Sequence, residues 1–269
     1  FKVVRTIKMQ GDNLRQVAID PTGKQAYTVN MFNRGFPTTR GNIDVGWVLG
    51  QRLTRITIDG TEPFETLTLD PKGMAAADVH GVALSSDSRL VAVSSGGTHE
   101  VFLFRLEGDE LPWRSMGSRD LMSTSLVNDR KLFRRVPTGG RPTELAFSPD
   151  NKTIYAANFL SDSVQFINAE TGKVDTVVDL GGPKEPTLAR RGEILFHDAT
   201  RSFNQWYSCA TCHSDGHTNG ADFDTMNDGW HDYSATHTRS RKKVPTLRRT
   251  VHTKPWTWHG WQKSIEDAT

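Results

Sequence analysis

The sequence predicts a repeated β-sheet region followed by a smaller second domain, and two observations carry this prediction. The first is a strand–turn–strand pattern that recurs three times before residue 180. The second is a shift in composition, because seven of the nine histidines and five of the seven tryptophans come after residue 190. The break falls at "GGPKEP", Gly181 to Pro186, where glycines and prolines interrupt regular structure. We therefore divide the chain into residues 1–184 and 185–269.

Composition excludes some classes of function. The chain has 269 residues, 36% of them hydrophobic, and no apolar run approaches the length of a membrane span. A net charge of +2 is too small to indicate nucleic acid or an anionic membrane as partner. The opening "FKVVRTIKMQ" lacks the features of a signal peptide, which indicates a mature or incomplete product, or a cytosolic one.

The first region consists of repeats of about 64 residues. Each copy has a short apolar strand, a turn of small polar residues and an alternating strand, and further strands such as "RLTRITID" and "VDTVVDLG" complete groups of four. Four strands per repeat are typical of a β-propeller blade. The copies are "LRQVAIDPTGKQAYTVN" (Leu14 to Asn30), "VHGVALSSDSRLVAVSS" (Val79 to Ser95) and "PTELAFSPDNKTIYAAN" (Pro142 to Asn158), with Asp20, Ser85 and Ser148 at equivalent places.

About three blades are visible, whereas a closed ring needs at least four. We expect a partial propeller completed by sequence absent from this chain, with "FKVVRTIKM" as the outer strand of an earlier blade. The alternative is an open β-sandwich. Long loops after the second strand of the first copy and the third strand of the second copy are expected to lie on a functional face or to be mobile.

The third copy carries a resemblance to a known repeat. "FSPDNKTIYAANFLSDSVQFINAETGKV" resembles the YVTN-type bacterial β-propeller repeat, closely over residues 141–174 and more loosely in the two earlier copies. The resemblance implies an all-β propeller fold for residues 1–184.

The second domain contains the only two cysteines, in "SCATCH", where His213 follows Cys212 directly. Two thiols three positions apart at a helix start can each add to one haem vinyl group, and the adjacent imidazole can ligate the iron. The alternatives are a redox Cys-x-x-Cys pair or half of a zinc site. A redox pair gains nothing from the histidine, and structural zinc more often recruits a second Cys-x-x-Cys. We predict covalently bound haem c at Cys209 and Cys212, with His213 as proximal iron ligand.

Two flanking segments indicate a family. "RGEILFHDATRSFNQWYSCATCH" and "RKKVPTLRRTVHTKPWTWHGWQKSIEDA" resemble the bacterial di-haem cytochrome c peroxidase and MauG family, over Arg190 to Ala268. The resemblance implies a mainly α cytochrome c domain that works in the periplasm or elsewhere outside the cytoplasm.

The chain also departs from that family's pattern. It has one haem-attachment site where members have two, and His259 replaces the aspartate of a family turn. We expect the domain to be incomplete at its C-terminus, with a second haem site in the complete protein as one alternative. The enzyme assignment stays open between a cytochrome c peroxidase-like oxidoreductase and no enzyme.

The distal iron ligand decides between an open and a closed haem. Seven histidines against one methionine in the second domain favour imidazole, with His259 ahead of His237 because Trp256, Trp258 and Trp261 could fix its ring.

A basic run could contact haem propionates or dock an acidic redox partner; it consists of Arg239, Arg241, Lys242 and Lys243.

Three functions compete on this evidence. They are a peroxidase-like oxidoreductase with a propeller scaffold, a pure electron carrier, and a propeller binding or sensing module with an accessory haem. The expected partner is a redox protein or a second haem domain.

Overall fold

The architecture consists of sheets of four antiparallel strands that pack side by side, followed by a helical region. The computed structural model describes residues 2–3, 5–60, 64–106, 111–113, 120–224, 241–256 and 262–268. Over these residues there are three four-stranded sheets, and in each the strands pair in chain order. The propeller-type fold predicted for the first region is confirmed in this form.

The strand bounds follow the three sequence repeats. Blade 1 contains β1 (Val17–Ile19), β2 (Gln25–Asn33), β3 (Leu49–Thr57) and β4 (Phe64–Thr68). Blade 2 contains β5 (Val79–Leu84), β6 (Leu90–Ser95), β7 (Glu100–Arg105) and β8 (Phe133–Pro137). Blade 3 contains β9 (Pro142–Phe147), β10 (Thr153–Asn158), β11 (Ser163–Asn168) and β12 (Val174–Asp179). The first strands of neighbouring blades lie against each other, β1 on β5 and β5 on β9.

The turn residue that marks each repeat closes the hairpin between the first two strands of its blade. Its side-chain oxygen accepts a hydrogen bond from the backbone N–H five residues later, at 2.8 to 2.9 Å. This contact competes with strand pairing and fixes where the chain reverses. The three pairs are Asp20 with Gln25, Ser85 with Leu90, and Ser148 with Thr153.

The core lies between the blades rather than within one sheet. Ile154, Ala156 and Ile167 of blade 3 share a buried cluster with Ala92 and Leu103 of blade 2. A second cluster joins blades 1 and 2 in the same way. Because each fully buried aliphatic side chain stabilises by roughly 1.5–3 kcal/mol, the blade interfaces hold the sheets together.

Blade 2 packs against blade 3 through apolar side chains. The repeat places equivalent apolar residues on the outer face of blade 3, the face that points away from blade 2. The equivalent side chains of blade 2, aligned by the repeat, are buried, whereas those on the outer face of blade 3 are half-buried or exposed. Completion of the ring by further sequence stays a prediction. The outer-face residues are Ala146, Tyr155, Val164 and Phe166, equivalent to Ala83, Ala92, Val101 and Leu103.

The described part of the chain start does not form the expected outer strand. Residues 5–9 form no strand. Instead, the guanidinium of Arg5 donates hydrogen bonds to the carbonyls of Ile58 and Gly60, at 2.8 and 3.1 Å. The Arg5 side chain therefore holds this segment at the connection between β3 and β4, without the backbone hydrogen bonds that a paired strand would need.

Both long loops contain a short helix. The loop of blade 1 includes α1 (Arg40–Asp44), and the loop of blade 2 includes α2 (Thr124–Asn128). The blade 1 loop contacts the C-terminal region, because Asn204 Nδ2 donates to Asp44 Oδ1 at 3.2 Å. This loop thus lies on the face that carries the cysteines.

The C-terminal region is built from α3 (Leu188–His197), α4 (Cys209–Cys212), short 3₁₀ turns and a pair of strands, β13 (Asp222–Asp224) and β14 (Arg241–Lys243). Blade 2 approaches it closely at Gly97, whose carbonyl accepts from Ala199 N at 2.9 Å. A Cβ at Gly97 would lie 3.1 Å from the Ala199 Cβ and 2.8 Å from that of Ala77, so a larger residue would push the two regions apart. Across the described residues, none of the helices combines the length and apolar character needed to span a bilayer.

Candidate functional site

The helix α4, which carries both cysteines, is held at each end by side chains. At its start Ser208 N donates to Thr211 Oγ1 at 3.0 Å in a capping box. At its end Asn219 donates twice, from its backbone N–H to Cys212 O at 2.9 Å and from Nδ2 to Thr211 O at 3.1 Å. A single helical turn is unstable alone, so these contacts fix the relative positions of the two thiols.

The imidazole of His213 has one ring nitrogen committed and one available. Its Nδ1 lies 3.0 Å from the carbonyl oxygen of Pro245 and 3.3 Å from that of His217. A carbonyl oxygen can only accept, so Nδ1 must carry the proton. The neutral ring then presents the Nε2 lone pair, which is the arrangement that prepares a histidine to ligate a metal.

The segment around Pro245 runs along the loop that follows α4. Val244 N donates to Ala221 O at 3.2 Å, and Leu247 N donates to Gly216 O at 3.1 Å. Beside them, His217 Nδ1 lies 2.8 Å from Thr246 Oγ1. This explains why "VPTL" accompanies "CATCH" in the chain, since it supplies the carbonyl that orients His213.

The two cysteines differ in their surroundings. Cys209 is exposed, whereas Cys212 packs against an apolar cluster that includes Trp206 and Phe223. Burial, with a smaller contribution from Cys209, raises the pKa of the Cys212 thiol to about 12. A redox Cys-x-x-Cys pair needs a thiol with a lowered pKa. Cys212 is therefore not the activated thiol that a redox pair would need.

The aromatic pair ahead of α4 lies between the cysteines and the propeller. Trp206 is buried in the same cluster as Cys212, and its ring centroid is 4.4 Å from that of Tyr207. Burial raises the pKa of Tyr207, with smaller contributions from Cys212 and Cys209. The position of the pair is compatible with packing against a haem or with relaying electrons.

The predicted distal ligands lie outside the described residues. This holds for His237 and His259, and for Trp258 and Trp261 beside the latter. Trp256 is described; it is buried, and its Nε1 donates to Thr250 O at 2.7 Å.

The basic run is partly engaged elsewhere. The guanidinium of Arg241 forms two hydrogen bonds with Asp222, at 2.8 and 3.0 Å, and a third with Gly35 O at 3.2 Å. Arg241 therefore joins β14 to β13 and to the blade 1 loop. These contacts engage Arg241 alone; Arg239 lies outside the described residues, and the expected role of the run at a haem propionate or an acidic partner stays a prediction.

A polar cluster that the sequence analysis missed joins the propeller to the C-terminal region. Its centre is Asp78, whose side chain is 1% exposed. Arg141 Nε and His197 Nδ1 lie 3.5 and 3.8 Å from Asp78 Oδ2, and Arg15 Nη2 lies 4.0 Å from Oδ1. Arg15 also donates to Asp215, two residues after His213, at 3.1 Å. The cluster thus connects all three blades with α3 and with the loop after α4.

The charge on Asp78 is stabilised by its neighbours. Burial alone would raise the pKa of this carboxyl, but His197, Arg141 and Arg15 outweigh burial and lower it to about 2. Repeat register could have found the cluster, since Asn13, Asp78 and Arg141 occupy equivalent positions just before the inner strands. All three have left-handed backbone, with φ of 53°, 51° and 46°.

The two propeller histidines have different contacts. His99 Nδ1 accepts from Arg141 N at 2.9 Å, and its Nε2 lies 3.5 Å from Asp198 Oδ1. His80 Nδ1 makes no hydrogen bond among the described residues, and burial lowers the pKa of this ring.

The described residues fit a covalently attached haem. In the part of the chain that the structure describes, no three His, Cys, Asp or Glu side chains are close enough to hold a metal ion. Haem attachment needs only two thiols on one turn and one imidazole with a free nitrogen. Cys209, Cys212 and His213 supply that set, and a thioether at Cys212 would suit its apolar surroundings.

A family model and a curated relative match parts of the chain. Residues 186–269 match the family model described as di-haem cytochrome c peroxidase. Hydrazine synthase subunit beta of Kuenenia stuttgartiensis is 28% identical over 163 residues, which are 59% of this chain and 42% of that protein. The chain thus spans less than half the length of this relative.

Two solved structures also align with part of the chain. The hydrazine synthase structure of Kuenenia stuttgartiensis aligns with a TM-score of 0.49 and 25% identity, over 59% of this chain and 46% of that chain. The β-propeller domain of Cps50 (Swd1) from Myceliophteria thermophila aligns with a TM-score of 0.42 and 13% identity, over 72% and 45%. The chain therefore joins three propeller-type blades to a segment that matches the family model of di-haem cytochrome c peroxidase, and this match implies c-type haem and a haem redox protein.

Proposed function

We propose that this chain is an electron-transfer protein with one haem c attached at Cys209 and Cys212 and ligated by His213. The orientation of His213 carries the proposal. Its Nδ1 is bound to a backbone carbonyl at 3.0 Å, so Nε2 is left for iron directly beside two thiols on one helical turn.

The haem would supply one-electron iron chemistry, and the chain's own residues would set its conditions. The hydrogen bond from His213 to Pro245 O fixes the ring orientation and increases the donor strength of Nε2. The apolar cluster around Cys212 and Trp206 excludes water from one side of the attachment turn. Tyr207, with its ring 4.4 Å from Trp206, extends this aromatic surface toward solvent, where a redox partner would dock.

The wider setting belongs to the same proposal. Residues 1–184 would act as a propeller scaffold and residues 185–269 as the haem domain. The protein would work in the periplasm or elsewhere outside the cytoplasm, where bacterial haem c is attached. Its electron partner would be another redox protein or a second haem domain, and the subunit name of the Kuenenia relative supports assembly with other chains.

Peroxide reduction is the second candidate, and the family match over residues 186–269 favours it. The two candidates differ at the distal side of the iron. A distal histidine, from His259 or His237, gives low-spin iron and leaves no room for peroxide, whereas an open site gives high-spin iron.

Electron paramagnetic resonance of the oxidised protein separates the candidates. We expect a low-spin signal that becomes high-spin in His259→Ala or in His237→Ala, and no peroxide turnover with a reduced electron donor. A high-spin signal in the unmodified protein together with peroxide turnover would reject the carrier and support the peroxidase. His252→Ala is the matched control, since His252 is an exposed histidine of the same region.

A further inference from the structure

A cavity of about 490 Å³ lies between the propeller and the C-terminal region. Its walls are Arg141 from blade 3, Glu193, Phe196 and His197 from α3, and Asp215 from the loop after His213. We call it the interface cavity. Its volume is within the range of ordinary small-molecule and cofactor sites.

Both acidic side chains that line the interface cavity already have an arginine partner. Glu193 Oε2 accepts from Arg190 Nη1 at 2.8 Å, and Asp215 Oδ2 accepts from Arg15 Nη1 at 3.1 Å. These carboxylates therefore do not require a ligand cation to balance their charge.

Arg141 differs from the other charged residues of the cavity. Its side chain is only 10% exposed and has two contacts, with Nε 3.5 Å from Asp78 and the guanidinium over the ring of Phe159 at 5.3 Å. Its backbone N–H donates to His99 Nδ1. Among the described residues, its terminal Nη nitrogens have no hydrogen-bond partner. The guanidinium is always charged and lines the cavity, so these donors are available to a ligand there.

The chemistry that best satisfies these donors is a carboxylate. The planar guanidinium matches a carboxylate with two parallel hydrogen bonds, and such pairs are the strongest that arginine makes in proteins. We propose that the interface cavity receives a carboxylate group, which the Nη nitrogens of Arg141 bind. The carboxylate has two possible sources, a haem propionate or a free small carboxylate.

The position of the cavity favours the propionate, and this source rests on the proposed function. Asp215 and Gly216, which line the cavity, come two and three residues after His213. The helix α3 on the opposite wall contacts α4, which carries the cysteines. Arg141 would then be a propeller residue that contacts the cofactor of the C-terminal region.

Redox titration of the holoprotein tests the propionate source. Arg141→Gln removes a positive charge that favours the reduced iron, so we expect a lower midpoint potential. The expected change in the reduction equilibrium is tenfold, which for one electron lowers the potential by about 59 mV. Arg141→Lys keeps the charge and should recover most of the shift. Arg105→Gln is the matched control, because Arg105 is paired with Glu170 at the far end of blade 2 and should leave the potential unchanged. Thermal unfolding checks that each variant is folded.

Calorimetric titration with sodium acetate tests the free carboxylate. If that is the source, acetate binds the unmodified protein, the affinity falls at least tenfold in Arg141→Gln, and the potential without acetate does not depend on Arg141. The proposal is overturned if folded Arg141→Gln changes neither the potential nor acetate binding. If the purified protein carries no haem, the proposed function is rejected. The acetate titration still tests whether Arg141 binds a carboxylate.

Discussion

Replacing Asp78 with asparagine should weaken the junction between the propeller and the C-terminal region. The carboxylate of Asp78 is buried and lies within 4.0 Å of Arg15, Arg141 and His197. The amide keeps the size of the side chain but removes its charge. Two arginines would then be buried without their common counterion, and the tie from blade 2 to α3 would be lost.

The size of the effect follows from the pKa of Asp78. Because the folded protein lowers this pKa from 3.8 to about 2, the ionised group stabilises the fold by about 2 kcal/mol at neutral pH, at 1.36 kcal/mol per unit. A lowered pKa means that this contribution is present above pH 4 and is lost as the pH falls from about 4 to about 2. Leaving the arginines uncompensated adds to the loss, so we expect about 2–4 kcal/mol at pH 7.

Urea unfolding followed by circular dichroism measures this loss. Asp78→Asn should lower the apparent unfolding free energy at pH 7, and the difference from the unmodified protein should shrink between pH 4 and pH 2. Asp175→Asn, which changes an exposed carboxylate on β12, is the matched control and should have little effect. Equal stability of Asp78→Asn and the unmodified protein at pH 7, or a difference that persists unchanged to pH 2, would refute the reasoning.

Three further results are expected. Ile154→Ala should destabilise by about 2–4 kcal/mol in urea, because Ile154 is fully buried between blades 2 and 3; a loss below 1 kcal/mol would contradict the blade interface. In protein produced without haem attachment, iodoacetamide at pH 8 should modify exposed Cys209 much faster than Cys212, whose pKa is about 12; equal labelling by mass spectrometry would contradict this burial. Asn219→Ala should cost about 1 kcal/mol in urea and reduce the yield of haem attachment, because Thr211 O loses its donor; an unchanged yield would show that α4 needs no support at this end.

The features that the sequence predicted correctly are local. Asp20, Ser85 and Ser148 act within five residues of themselves, so their turn chemistry can be recognised without tertiary structure. The start of a helix at Cys209 is local in the same sense. Packing between blades was also predictable, because the repeat places equivalent apolar residues on equivalent faces.

The features that were missed depend on contacts between distant parts of the chain. Arg15 and Asp215 are 200 positions apart, and His213 and Pro245 are 32 apart. No spacing rule connects such pairs. The described residues of the expected strand at 1–9 form none for the same reason, because an apolar alternating pattern forms a strand only where a neighbouring edge pairs with it.

Mass spectrometry of the intact protein after acid-acetone extraction tests the central claim most directly. Acid acetone removes haem that is held only by ligation, whereas thioether bonds survive it. We predict that the extracted polypeptide keeps the mass of one haem, and that a variant with both Cys209→Ser and Cys212→Ser keeps none. A polypeptide that loses all its haem mass, or a double variant that retains it, would contradict attachment at this turn.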